Sequence, residues 1–150
     1  MQPDGRDCGR NILIYWDDER ADAAGGDVAR LFRSCAIPAM RSDFFRVFWA
    51  LSEGGLYSDL SFVPRREPLF FADRPLTLVR WPHGRIVNGL FFARPGSTDL
   101  ARVGDTILAA VRLRADNNVW SVTGPGAWIR AIGQQETDTI AIRDRQPLFH

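Results

Sequence analysis

Several polar residues in one short stretch of the sequence have side chains that can recognise hydroxyl groups and phosphates. Asp43 and Arg46 lie three positions apart, so a helix would place them on one face. The guanidinium of Arg46 can donate to sugar or phosphate oxygens, while the carboxylate of Asp43 can accept hydrogen bonds from hydroxyls. Tyr57 and Asp59 follow Gly54-Gly55, a pair that ends a helix and allows a tight reversal of the chain. The spacing therefore predicts one side of a polar pocket.

Further candidates lie outside this stretch. Asn88 offers both a donor and an acceptor to a polar ligand. Thr123-Gly124 would supply a hydroxyl and bare backbone just before a helix start, where free amides favour an anionic group. Trp16, followed by Asp17 and Asp18, could form an aromatic platform for a base with acidic ligands beside it.

Each of these patterns also has a purely structural interpretation. Asp43 and Arg46 could form a surface ion pair worth about 0.3 kcal/mol. Asn88 and Thr123 could satisfy the backbone of turns, and Trp16 could be a core residue beside a solvated loop.

The periodicity of apolar residues predicts the elements that must position these side chains. Helices are predicted from an Asp27 cap through Cys35, from Pro38 to Leu51, from a Thr98 cap to about Leu113, and after Thr123-Gly124-Pro125-Gly126 through Ile132. Strands are predicted over Asn11–Trp16, Leu56–Val63, Leu76–Trp81, Ile86–Ala93 and Thr139–Arg143. Asn88-Gly89 within a strand indicates a bulge or a close backbone approach. Strands interleaved with helices predict an α/β fold with a mixed sheet, whose strand ends would carry Trp16 and Asp59.

Composition narrows the class of protein. The 150 residues suit one domain, predicted over residues 11–150 after a flexible stretch at 1–10. All 19 basic residues are arginine, and they are scattered over a chain of net charge +1, which argues against a nucleic-acid partner. Cys8 and Cys35 lack the spacing of a zinc site. Because no apolar run approaches the roughly 20 residues of a membrane span, a cytoplasmic protein without a transmembrane segment is expected.

The segment from Arg41 to Val63, RSDFFRVFWALSEGGLYSDLSFV, resembles the signature of the sugar-binding DXD glycosyltransferases. That family includes fungal initiating mannosyltransferases and bacterial capsular polysaccharide sugar transferases. The matching residues are Arg41, Ser42, Asp43, Arg46, Gly54, Gly55, Tyr57 and Asp59. The segment from Asn88 to Gly96 resembles the family's second block, and Thr123-Gly124-Pro125 resembles its third, so the likeness extends over residues 15–150.

The resemblance implies a compact, shortened GT-A-type fold and transfer of a hexose, with retention, from a nucleotide-sugar donor to a hydroxyl acceptor such as a glycan. It assigns catalysis to Asp59 and Arg46, and a divalent metal, Mn²⁺ or Mg²⁺, to Asp59 and Ser61. The implied substrate contacts are Asp43, Tyr57, Asn88, Thr123, Gly124 and Trp16.

Two departures from the family pattern bear on these expectations. Ser61 stands where the family has its second aspartate, and a neutral hydroxyl is a weaker ligand for a hard cation than a carboxylate. Metal binding is thus expected to be weakened or lost unless Asp17, Asp18 or Glu67 reaches the ion. The amino-terminal segment is also shorter than in the family. A catalytically inactive domain that binds a sugar or nucleotide sugar is the alternative function, and a structural α/β module is a third.

Overall fold

The computed structural model describes residues 6–7, 12–13, 19, 26–62, 72–113 and 117–144. The helices are α1 (Gly26–Ser34), α2 (Pro38–Ser52), α3 (Thr98–Leu113), α4 (Val119–Val122) and α5 (Pro125–Ile132). The strands are β1 (Arg6–Asp7), β2 (Ile12–Leu13), β3 (Gly55–Ser58), β4 (Leu76–Arg80), β5 (Ile86–Ala93) and β6 (Ile140–Asp144).

A four-stranded mixed sheet in the order β3-β5-β4-β6 forms the centre of the fold. β5 pairs antiparallel with β3 and with β4, whereas β6 runs parallel to β4. The predicted α/β class, with a compact mixed sheet flanked by helices, is therefore confirmed.

The amino-terminal strands form a separate pair. Arg6–Asp7 and Ile12–Leu13 are antiparallel partners, so the predicted strand at residues 11–16 is described only over Ile12–Leu13. The division at residue 10 stays a prediction. Trp16, Asp17 and Asp18 lie outside the described residues.

Helix α2 connects the core to the polar residues of interest. It begins at Pro38, whose fixed φ and missing N–H suit a first helical position, and it buries Met40 and Phe44 on its apolar face. It ends before Gly54, which adopts a φ of 69° and donates its N–H to the Ala50 carbonyl at 3.1 Å. The predicted helix and its glycine terminus are thus confirmed.

Strand β3 is shorter than predicted. It ends at Ser58 because Asp59 starts a turn, in which the Phe62 N–H donates to the Asp59 carbonyl at 3.0 Å. The prediction of a strand through Val63 was wrong over 59–62, and Val63 lies outside the described residues. Asp59 accordingly lies at the exposed end of the strand.

Strand β5 carries the predicted bulge at Asn88-Gly89. Leu78 of β4 pairs with Phe91 and the next residue, Val79, pairs with Val87, so the β5 residues between them have no partner on β4. Gly89 instead accepts the Asp59 N–H on its carbonyl at 2.7 Å, which joins the bulge to the end of β3. The bulge therefore places Asn88 beside β3.

Helix α3 spans the predicted range but is capped one residue earlier than expected. The Ser97 hydroxyl, rather than that of Thr98, accepts the N–H of Leu100 at 3.4 Å. Leu100, Val103 and Ile107 face the core.

The principal core lies between the sheet and the helices. Its largest buried side chain is Trp128 of α5, whose ring meets Phe91 of β5 edge to face at a centroid distance of 4.8 Å. In the described part of the chain, no helix combines the length and apolar character needed to cross a membrane.

Candidate functional site

Asp43 and Arg46 of α2 point inward. Their exposed fractions are 7% and 5%, and a salt bridge of 3.1 Å joins Arg46 Nη2 to Asp43 Oδ1. The interpretation as a weak surface pair does not apply, because that estimate holds only for solvent-exposed charges. A buried pair requires further hydrogen bonds to offset the loss of hydration.

Arg46 makes four hydrogen bonds and an ion pair within the protein. Nε donates to Ser42 O at 3.3 Å, Nη1 donates to Asn88 O at 2.8 Å and to Asp59 Oδ2 at 3.4 Å, and Nη2 donates to Ser42 Oγ at 3.0 Å. Nη2 also forms the ion pair with Asp43 Oδ1. The guanidinium also lies over the ring of Tyr57, 4.7 Å from its centroid. Arg46 is therefore held from every side by α2, β3 and β5.

Asp43 is the buried acceptor at the centre of these contacts. Its Oδ1 accepts from Asn88 Nδ2 at 2.8 Å, and its Oδ2 accepts from Thr123 Oγ1 at 3.1 Å. Burial raises the pKa of Asp43, and the nearby Arg46 charge opposes that rise only in part. The carboxylate joins α2 to the bulge of β5 and to the turn between α4 and α5.

Asp59 forms the outer edge of the same network. Its Oδ1 accepts a hydrogen bond of 2.9 Å from the Tyr57 hydroxyl, and its side chain is 37% exposed. Tyr57 is in turn stacked on Phe91 at 5.5 Å, and burial raises the pKa of its phenol. The carboxylate lies so close to Gly89 that a Cβ there would be 2.3 Å from Asp59 Oδ2. Only glycine at position 89 allows this placement.

The network leaves hydrogen-bonding capacity on two of its members. Asp59 has a partly exposed carboxylate whose oxygens can each accept a further bond. Asn88 is 8% exposed, and among the described residues its side chain makes one hydrogen bond, to Asp43, which leaves Oδ1 and one amide proton unused. These two side chains can form hydrogen bonds with the hydroxyl groups of a ligand.

The structure thus brings together six of the residues that the sequence selected. They come from α2, β3, β5 and the turn before α5, and they are Asp43, Arg46, Tyr57, Asp59, Asn88 and Thr123. Their assignment to catalysis or substrate binding stays a prediction.

The other three selected residues have different surroundings. Gly124 is buried against α4, where a Cβ would lie 2.9 Å from the Val119 carbonyl oxygen, so packing alone requires a glycine there. Ser61 is exposed in the turn after β3. Trp16 lies outside the described residues, as do the alternative metal ligands Asp17, Asp18 and Glu67.

Two residues of the network were not assigned a role from the sequence. Ser42 was matched as part of the family motif, and the structure shows that its hydroxyl accepts from Arg46. Gly89 was noted only for a bulge or close approach, and the structure shows that the group approaching it is the carboxylate of Asp59. The Asn-Gly pair inside a strand was the signal that pointed to this position.

The described residues do not fit the expected Mn²⁺ or Mg²⁺ ion. They contain no group of three acidic, histidine or cysteine side chains suited to a metal. Asp59 already accepts from a guanidinium and a phenol, and Asp43 is buried with both of its oxygens engaged. A hard divalent cation prefers several oxygen ligands at once, and this set offers one shared carboxylate and the hydroxyl of Ser61.

Comparisons of the chain with protein-family models, with curated proteins and with solved structures gave no match.

Proposed function

We propose that this chain is a compact GT-A-type glycosyltransferase domain that moves a hexose from a nucleotide-sugar donor to an acceptor hydroxyl. The observation that carries the proposal is the convergence of Asp43, Arg46, Asp59 and Asn88 on one connected network. These residues were selected for their resemblance to the DXD glycosyltransferases, and Asn88 lies 42 positions from Arg46 and 45 from Asp43 in the sequence. A motif match that arose by chance would not require its members to be in contact.

In this proposal Asp59 and Asn88 contact the donor sugar. The carboxylate of Asp59 accepts hydrogen bonds from ligand hydroxyls, and the free amide proton and Oδ1 of Asn88 donate and accept beside it. Arg46 and Asp43 are positioning residues, since four hydrogen bonds and the ion pair with Asp43 engage Arg46 within the protein. Arg46 holds Asp59 by its charge and fixes the backbone of Asn88.

Transfer requires cleavage of the bond between the anomeric carbon and the diphosphate oxygen, and formation of a bond from that carbon to the acceptor oxygen. The departing diphosphate carries the electron pair, and one of its oxygens takes the proton that the acceptor hydroxyl loses. A divalent cation, when bound, would neutralise that charge. The described residues do not fit such an ion, so the steps assigned to them are binding and orientation of the sugar. Retention of configuration, a glycan acceptor and a cytoplasmic location belong to the same proposal.

A second candidate is a binding domain without turnover. It is favoured by the pairing of Asp59 with Arg46 and by Ser61 in place of the second aspartate. Such a domain would hold the nucleotide sugar through the same two polar side chains and leave the glycosidic bond intact.

Calorimetric titration with uridine and guanosine diphosphate hexoses, followed by an assay for donor hydrolysis, tests both candidates. Asp59→Asn should weaken binding by roughly tenfold, which corresponds to about 1.4 kcal/mol. The matched control is Asp144→Asn, because Asp144 also pairs with an arginine, Arg80 at 3.0 Å, but lies on the exposed end of β6. Binding with turnover supports the transferase, and binding without turnover supports the second candidate. No binding of any donor refutes both.

A further inference from the structure

The positive charge at Asp59 is supplied by a side chain that cannot easily move away. Arg46 is 5% exposed, and releasing it from Asp59 would also disturb its bonds to Asn88 O and to Ser42. The Tyr57 ring beneath the guanidinium restricts it further. Asp59 is therefore an ion-paired carboxylate in the folded protein.

A divalent ion at this position would have to share Asp59 with that guanidinium. The other nearby carboxylate, Asp43, accepts hydrogen bonds from Asn88 and Thr123 and forms an ion pair with Arg46, which also contacts Asp59. Two residues beyond Asp59, the exposed turn carries the hydroxyl of Ser61 where the resembled family has a second carboxylate. The gain from binding a hard cation is correspondingly small.

We infer that this site binds the hydroxyl groups of its nucleotide-sugar ligand without a divalent cation, with Arg46 providing the countercharge to Asp59. The inference rests on the proposed function for the identity of the ligand. It departs from the metal dependence that the family resemblance implies. It also makes the residue at position 61 the one that decides whether the donor binds with or without a divalent cation.

The first test compares donor affinity with Mn²⁺ and with excess EDTA, using the uridine or guanosine diphosphate hexose that binds best. The dissociation constant of the unaltered protein should change by less than about threefold. Ser61→Asp restores a second carboxylate in an exposed turn, so its donor affinity should rise roughly tenfold or more when Mn²⁺ is added. Ser61→Asn introduces a side chain of the same size as aspartate but without its charge, so the donor affinity of this variant should not change when Mn²⁺ is added. Loss of donor binding in EDTA by the unaltered protein would overturn the inference.

A second test uses Mn²⁺ alone, monitored by electron paramagnetic resonance, and needs no donor. The Mn²⁺ affinity of the unaltered protein should match that of Asp59→Asn within about twofold. The Asp144→Asn variant controls for the general loss of a surface charge. Mn²⁺ binding that disappears in Asp59→Asn, and not in Asp144→Asn, would overturn the inference even if no donor binds. Absence of donor binding under both conditions would instead refute the proposed function, so the two failures are distinguishable.

Discussion

Replacing Arg46 with methionine tests whether the network depends on a buried charge pair. The substitution keeps an unbranched side chain of similar length but removes all five donors, so the Asp43 carboxylate loses its countercharge while it remains buried. Asp43 would keep only its hydrogen bonds from Asn88 and Thr123. The chain offers a control in Arg80, which pairs with Asp144 at 3.0 Å through side chains that are 39% and 65% exposed.

The expected costs of the two substitutions differ because the environments differ. Removing one partner of a buried pair strands the other charge and typically costs about 3–5 kcal/mol. Arg80→Met removes one partner of an exposed pair and should cost about 0–1 kcal/mol. For a chain of this size each kcal/mol corresponds to roughly 2–4 °C in Tm, so Arg46→Met should melt markedly earlier than its control.

Urea unfolding followed by circular dichroism measures both free energies, provided that the denaturant slopes agree. In an Asp43→Asn background the cost of Arg46→Met should fall by at least about 1 kcal/mol, because no buried anion is then left unpaired. Equal costs for Arg46→Met and Arg80→Met, or an unchanged cost in the Asp43→Asn background, would refute the buried charge pair as the source of stability.

The remaining contacts give three expected outcomes. Gly89→Ala should weaken donor binding in calorimetry by roughly tenfold or more, because its methyl group would displace Asp59. The control is Gly104→Ala, whose added methyl group would lie no closer than 3.4 Å to a neighbouring atom and should leave donor binding unchanged. Equal affinities of the two variants would contradict this reasoning. Thr123→Val should lower the free energy of unfolding in urea by about 1–3 kcal/mol, since a buried acceptor loses its donor, and an unchanged value would count against that bond. Because burial raises the pKa of Asp43, the folded state takes up this proton more readily than the unfolded chain, so the unaltered protein should gain stability over Asp43→Asn as pH falls through the raised pKa. That gain should be complete below the ordinary value of 3.8 and lost as pH rises; a pH-independent difference in unfolding free energy would contradict the direction.

Local patterns were sufficient to predict most of the elements. The three- and four-residue spacing of Met40 and Phe44 with later apolar residues marked α2, and Asn88-Gly89 marked the bulge. The end of β3 was misjudged because Leu60 and Phe62 continue the alternation of a strand after Asp59 has already begun a turn. Leu60 is 95% exposed, so its apolar character carried no information about burial.

The burial of the charged residues could not be derived from α2 alone. Asp43 and Arg46 share a helix with a well-defined apolar face, and by that pattern they belong to its solvated side. They are covered because the bulge of β5 delivers Asn88 to Asp43, and because Thr123, eighty positions later in the chain, reaches the same carboxylate. Contacts at such sequence separation leave no trace in local periodicity, and only the family resemblance indicated that these residues belong together.

The residues of the motif therefore divide into two groups by what their polar atoms already bind. Arg46 and Asp43 are directed at protein partners, so their replacement will alter stability and ligand binding together. Asp59 and Asn88, at the edge of the network, each retain polar atoms that can form a further hydrogen bond with a ligand. Loss of function after substitution of Arg46 would consequently not identify it as a residue that touches the substrate. That distinction requires isosteric changes at Asp59 and Asn88. Asp59→Asn replaces an acceptor oxygen by a donor and removes the charge that pairs with Arg46, whereas Asn88→Asp removes the donor to Asp43 and adds a charge beside it.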